Sequence, residues 1–193
     1  MRRTRDDANR LTNVTDRRVA LLRGINVGKA KRVAMADLRQ LFEVLGYDDV
    51  RTLLNSGNVV FTVRRKAAGD LQEKLSKAVA ERTKVSCRIV VLDAAEVAEA
   101  VAKNPLAAVA KDPTRLLLIA LRDTEAATAL QPLVRERWAP ESFALRNRIA
   151  YLWCAKGIAE SPLWEAVNRA IGDSGTARNL ATMTKLLSLL QNT

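Results

Sequence analysis

The sequence predicts an α+β protein built from two related halves, of which the first is ferredoxin-like. Over the first half, short runs of residues that favour β-strands alternate with amphipathic segments that favour helices. Their order is βαββαβ, which is the split pattern of ferredoxin-like folds. The order βαββα then recurs in the second half and is followed by C-terminal helices. With 193 residues, 48% of them hydrophobic, the chain can bury the core that such a fold requires.

In the first half, helices are predicted where apolar residues recur every three or four positions, and strands where β-type residues run together or alternate. Gly46 ends the first helix, because glycine favours a helix stop. The predicted elements are a strand at 19–23, a helix from about 33 to 46, strands at 50–54 and 59–63 joined by a turn at 55–58, a helix around 71–79 and a strand around 87–91.

The second half is predicted in the same way, and Pro132 is expected to kink or shorten one of its helices. Its elements are a helix at 94–103, a strand at 115–121, a helix at 124–137, strands at 143–145 and 149–153, a helix at 162–171, a polar loop at 172–179 and a last helix at 180–190. These elements predict a division of the chain into a disordered basic extension at 1–17, a ferredoxin-like subdomain at 18–92 and a second α+β subdomain at 93–193 packed against the first.

The charge of the chain favours anionic partners. Its 32 Lys and Arg exceed its 21 Asp and Glu, so phosphate-bearing ligands, nucleic acid and anionic surfaces are all attracted. Aromatic residues make up only 4%, which disfavours a single-strand binder built on aromatic stacking. Trp153 and Trp164 are expected in the core rather than against a ligand.

The composition also excludes several kinds of chemistry. The chain contains no histidine, so it can form neither a histidine-based catalytic triad nor a histidine metal site, and hydrolysis is disfavoured. No metal and no cofactor is predicted. No signal peptide and no apolar run long enough to span a bilayer is seen, so we expect a cytoplasmic protein without a membrane partner, with Cys87 and Cys154 as reduced thiols.

A ligand site is predicted where three polar segments meet. In a ferredoxin-like sheet the first two strands are parallel, so the loop after residue 23 and the turn at 55–58 end at the same edge, beside the start of the first helix. The C-terminal polar segment is the third. The candidate ligand-binding residues are Arg23, Gly24, Asn26, Gly28, Lys29, Ser56, Gly57, Asn58, Thr176, Arg178, Asn179 and Lys185.

Simpler interpretations of these residues remain open. Glycine and asparagine at 55–58 are also what an ordinary turn requires. Asn179 suits the N-cap of the last helix, which is the better interpretation of that residue alone. Lys185 is equally well explained as a solvated lysine.

Four motifs in the chain resemble those of a bacterial family, the domain of unknown function 1697. They are Arg23–Gly28, Met35–Arg39, Ser56–Phe61, and Ala177–Asn179 with Thr182, Thr184 and Lys185-Leu186. The resemblance covers about residues 18 to 190. Two positions depart from the family pattern: Lys29 stands where a second glycine is usual, and Leu180 where an aromatic residue often follows the Arg-Asn pair. The resemblance implies an α+β fold with a duplicated, ferredoxin-like first half, and no established activity.

Three functions are compatible with these observations. In the first, a small phosphorylated or nucleotide-like ligand binds in a basic, Gly/Asn-rich cleft, where Arg23, Lys29 and Arg178 neutralise its charge. In the second, the same basic face binds nucleic acid, helped by residues 64–66 and the N-terminal arginines. In the third, the protein is an interaction module without a ligand. Whether a reaction is catalysed stays open, although electrostatic positioning of a transferring group suits these residues better than nucleophilic hydrolysis.

Overall fold

The computed structural model describes residues 16–27, 31–64 and 69–192. The elements of the first half are β1 (Asp16–Leu22), α1 (Met35–Val44), β2 (Asp48–Leu53), β3 (Asn58–Val63), α2 (Leu71–Thr83), β4 (Ile89–Asp93) and α3 (Ala94–Ala102). They form an antiparallel sheet in the order β2-β3-β1-β4, here called sheet A. The predicted ferredoxin-like first half is confirmed.

The second half repeats this arrangement. Its elements are β5 (Leu116–Leu121), α4 (Thr124–Thr128), α5 (Gln131–Val134), β6 (Ser142–Arg146), β7 (Ile149–Trp153), α6 (Pro162–Ile171), β8 (Gly175–Asn179) and α7 (Leu180–Gln191), with a short 3-10 turn at Ile158–Glu160. Sheet B has the order β6-β7-β5-β8, which matches sheet A strand for strand. The α+β class and the relation between the halves are therefore as predicted.

The fourth strand of sheet B differs from the prediction. The sequence predicts a loop at 172–179, but Gly175–Asn179 pairs with β5, with Leu118 opposite Arg178. The segment GTARN lacks the apolar alternation of a strand because Arg178 reaches the other half and Asn179 caps the helix that follows. The second half is consequently a complete βαββαβ unit.

Three predicted boundaries also change. Arg17 belongs to β1 rather than to an extension, and its guanidinium donates to the carbonyls of Leu190 and Asn192 at the end of α7. The first helix starts at Met35 and not at 33. The helix expected at 124–137 is two short helices, because Pro132 has no backbone N–H with which to continue the first. The rest of the predicted extension, residues 1–15, lies outside the described residues.

The two sheets enclose a central layer of helices. One face of sheet A packs on α1 and α2. Its other face and one face of sheet B share a core with α3 and α7, which pack against each other between the sheets. The remaining face of sheet B is covered by α4, α5 and α6. Strands β3 and β5 are buried at every residue as a result. None of the helices in the described ranges has both the length and the apolar character that crossing a membrane requires.

Arginine side chains bind the halves together at the ends of the strands. Arg178 on β8 donates through Nη2 to the carbonyls of Leu22 and Ser56, both at 2.8 Å, and through Nε to the side-chain oxygen of Asn58. Arg148 on the β6–β7 turn holds the carboxylate of Glu96 at 2.6 and 2.7 Å and donates to the Val91 carbonyl. Each guanidinium therefore donates to backbone carbonyls of the other half.

The β2–β3 turn is held tightly against β1. Gly57 has φ +76°, and its carbonyl accepts from the Leu22 N–H at 2.8 Å. A Cβ at this position would lie 2.6 Å from Ile25 Cδ1 and 2.8 Å from Leu22 Cβ. Both the conformation and the space therefore require glycine here.

We expect Gly57→Ala to destabilise the protein by roughly 2–4 kcal/mol, because left-handed strain and overpacking add. Gly46→Ala is the matched control: Gly46 has φ +86°, but a Cβ added there would meet nothing within 4 Å, so strain alone, about 1 kcal/mol, should remain. Urea unfolding measures both. Equal losses for the two variants would contradict the close approach at Gly57.

Arg178→Met should lower the free energy of unfolding by roughly 3 kcal/mol, because several half-buried acceptors lose their donor at once. Arg178→Lys should not restore it, since a single ammonium group cannot reach all the acceptors that are spread around the edge of the planar guanidinium. Arg39→Gln, at an exposed helical ion pair, is the control and should change stability by less than about 0.5 kcal/mol. A loss no larger than that of the control would show that Arg178 does not hold the halves together.

Candidate functional site

An open cavity of about 570 Å³ lies where β1 ends and β4 begins, and we call it the cationic cleft. One wall is a face of α2. Its lining residues are three or four positions apart along the chain and therefore lie side by side on the helix surface. The other walls are the segment after β1, the α2–β4 connection and the loop before β8. The lining residues are Arg23, Gly24, Lys31, Glu73, Ser76, Lys77, Ala80, Ser86, Cys87, Arg88 and Asp173.

Backbone contacts hold these walls in place. The Arg23 N–H donates to the Arg88 carbonyl at 2.8 Å, which ties the end of β1 to the α2–β4 connection. Asp70 caps α2 by accepting from the N–H groups of Gln72 and Glu73. Arg23 Nη1 donates to the Gly175 carbonyl at 2.7 Å, so the second half also fixes this side chain.

Positive charge predominates in the cleft. Four cationic side chains face two carboxylates. Arg88 Nη1 lies 3.8 Å from Glu73 Oε2, and Arg23 Nε lies 3.7 Å from Asp173 Oδ1, distances longer than a hydrogen bond. A guanidinium carries five N–H groups. Arg23 and Arg88 therefore keep donors that are not used by these carboxylates.

Two neutral side chains add polar groups to the cleft. Ser76 lines the cleft and is only 9% exposed. Burial raises the pKa of the Cys87 thiol to about 11, although nearby Lys31 opposes the rise. The thiol is protonated at neutral pH and is a poor nucleophile there.

Of the predicted site residues, Arg23 and Gly24 line the cleft. Gly28 and Lys29 lie outside the described residues. Asn26 has φ +55° and uses its side chain inside the loop: it accepts from the Val33 N–H and donates to the Val33 and Asn55 carbonyls. The loop and the 55–58 turn are thus neighbours, but Asn26 joins them to each other instead of facing the cleft.

A second group of predicted residues forms a contact between the halves. Arg178 directs its N–H groups at acceptors of the protein, including Thr176 Oγ1 and the Ala177 carbonyl, and burial lowers its pKa to about 10. Asn58 is fully buried and donates to the Leu53 carbonyl and to Ser56 Oγ. The sequence predicts that Arg178 neutralises a ligand, whereas in this geometry each of its five N–H groups is directed at an acceptor of the protein.

The last two predicted residues, one at the N-cap of α7 and one in its middle, are not among the residues that line the cleft. Asn179 is the N-cap of α7 and accepts from the Thr182 N–H at 2.9 Å, which agrees with its simpler interpretation. Lys185 is exposed on α7. Among residues 16–27, 31–64 and 69–192, no group of three Cys, Asp or Glu side chains is placed to hold a metal ion.

Sequence reasoning missed most of the cleft. Lys77, Ser76 and Arg88 come from α2 and the connection that follows it, which the fold brings to the same edge as the β1 loop. The predicted topology does indicate where the α2–β4 connection lies, because in a βαββαβ unit this connection returns to the edge at which β1 ends. The side chains themselves look like an ordinary solvated helix face.

Comparison with known proteins places the chain in a family. The model of a family described as "Protein of unknown function (DUF1697)" matches residues 15–151. A solved structure of a conserved bacterial protein, SP0830 from Streptococcus pneumoniae, superposes with a TM-score of 0.69 at 24% identity, over 91% of this chain and 99% of that one, and shares its fold. None of the curated proteins matches. The chain therefore belongs to the DUF1697 family of bacterial proteins of unknown function.

Proposed function

We propose that this protein binds a small anionic ligand, phosphorylated or nucleotide-like, in the cationic cleft. The observation that carries the proposal is the convergence of Arg23, Lys31, Lys77 and Arg88 around one cavity of about 570 Å³. This volume lies within the range of roughly 300–1,000 Å³ that is typical of small-molecule sites. Phosphate oxygens accept from guanidinium and ammonium groups in such settings.

Two of the cleft cations, Lys77 and Arg88, are exposed to solvent. Lys77 is exposed and forms no ion pair or hydrogen bond within the described residues, and the side chain of Arg88 is 53% exposed. In contrast, Arg64 pairs with Asp48, so one member of the basic run that would serve nucleic acid is already engaged. This difference favours a small ligand over nucleic acid.

Electrostatic binding is also the chemistry that the cleft supports best. The protonated Cys87 thiol is not poised for attack at neutral pH, and the chain has no histidine to act as a base. Arginine and lysine donors can nevertheless hold and orient an anionic group. Binding, with or without a transfer step, follows from these residues.

Lys77→Gln/Arg88→Gln should weaken the binding of pyrophosphate by at least about tenfold, because two charge-assisted contacts are lost. Isothermal titration calorimetry at low salt measures the affinity. Arg39→Gln/Lys103→Gln is the matched control: it removes the same charge at exposed helical pairs outside the cleft and should leave the affinity within about twofold.

Two results would overturn the proposal. Equal weakening by both double variants would mean that net charge, and not the cleft, attracts the anion. If the wild-type protein does not bind pyrophosphate but binds duplex DNA with a steep salt dependence, the nucleic-acid function replaces it.

Alkylation of Cys87 by iodoacetamide should rise about tenfold per pH unit from pH 7 to 9 without levelling off, because its pKa is raised to about 11. Mass spectrometry of the Cys87 peptide follows the rate. A short cysteine peptide, whose rate levels off near its pKa of about 8.5, is the control. Saturating pyrophosphate should slow the reaction further. A plateau for Cys87 below pH 9 would contradict the buried environment.

A further inference from the structure

A second hollow lies beside the cationic cleft and has a different character. It has a volume of about 690 Å³ and is formed by the 3-10 turn and the outer face of α6. Trp164 provides its largest apolar surface, together with Ile158 and Pro162. The sequence predicts Trp164 in the core, but it is only half-buried and packs one side against the core of sheet B.

The two cavities share a wall. Arg23, which lines the cleft, donates through Nη2 to the side-chain oxygen of Asn168 at 2.8 Å, and Asn168 lines the second hollow. Trp164 and Asn168 are four residues apart on α6, so they lie on the same side of the helix about 6 Å apart along its axis. The indole therefore lies one helical turn from the guanidinium contact.

The charges of the two cavities are opposite in sign. The second hollow is lined by Glu160 and Glu165, and no lysine or arginine of the described residues lines it. Glu165 already pairs with Arg169, whereas Glu160 forms no ion pair with any side chain that the structure describes. An anionic group is repelled from this side and attracted to the cleft. The second hollow suits a flat, uncharged ring with exocyclic amino groups, because the indole offers a stacking face and the carboxylates accept from amino groups.

We propose that the ligand is a nucleotide, bound with its phosphates in the cationic cleft and its base stacked on Trp164. The sugar would cross the wall formed by Arg23 and Asn168. This inference rests on the proposed function, since it requires the cleft to bind the phosphates. It adds the class of ligand and the orientation in which it binds.

The test compares ADP with pyrophosphate, which share the two phosphates and differ by the nucleoside. Wild-type protein should bind ADP about tenfold or more tightly than pyrophosphate, the gain expected from stacking one base. Trp164→Ala should lower the ADP affinity to that of pyrophosphate and leave the pyrophosphate affinity unchanged. Trp164→Phe, which keeps an aromatic face, should retain most of the preference. Lys77→Gln/Arg88→Gln should weaken both ligands alike.

The outcomes separate this inference from the proposed function. Equal affinity of the wild type for ADP and pyrophosphate, or a preference for ADP that survives Trp164→Ala, overturns the nucleotide inference and leaves the anion site intact. Failure to bind either ligand overturns both proposals.

A fluorescence measurement tests the same contact without removing Trp164. The chain has three tryptophans, so Trp138→Phe/Trp153→Phe leaves Trp164 as the only indole. ADP should quench its emission in a saturable way, whereas pyrophosphate should not. Quenching by neither ligand, at concentrations where calorimetry shows that ADP binds this variant, would place the base elsewhere.

Discussion

The contact of Arg178 with the end of β1 joins the two halves at the ends of their strands. Its guanidinium lies on β8 and reaches the Leu22 and Ser56 carbonyls, which belong to the other half. A carbonyl left without a donor in such a place is costly, so the halves are favoured in the one position that supplies it. The same strand offers the Gly175 carbonyl to Arg23. The contact that joins the halves therefore also places a cationic wall of the cleft.

The duplication puts equivalent positions to different uses. The N–H of Arg23 donates to the Arg88 carbonyl, and the N–H of Arg122 donates in the same way to the Ser174 carbonyl, so both halves form the same edge. The Arg122 side chain pairs with Asp70 across the boundary between the halves. The Arg23 side chain also donates across this boundary, to the Gly175 carbonyl and to Asn168, and in addition it lines the cationic cleft. Both edges therefore take part in the contact between the halves, and the edge at Arg23 also borders the cationic cleft.

Three polar or glycine residues of the segments that suggested the family make contacts within the fold. Asn26 ties its loop to the neighbouring turn, Gly57 permits close contact with β1, and Asn58 accepts from Arg178. These residue types are equally suited to ligand binding, which is why their roles could not be separated from the sequence. The positive charge that faces solvent comes partly from residues outside the motifs, such as Lys77.

The sequence by itself determined the class of fold, the order of the elements and the meeting of the β1 loop with the 55–58 turn, because hydrophobic periodicity and strand order are local or topological properties. Only the tertiary structure decided that residues 175–179 form a strand and that the N–H groups of Arg178 donate to acceptors within the protein. It also decided which lysines surround the cavity. The physical reason is that hydrogen bonds and charges between distant segments leave no period in the sequence, and an arginine looks the same whether a carbonyl or a ligand accepts from it.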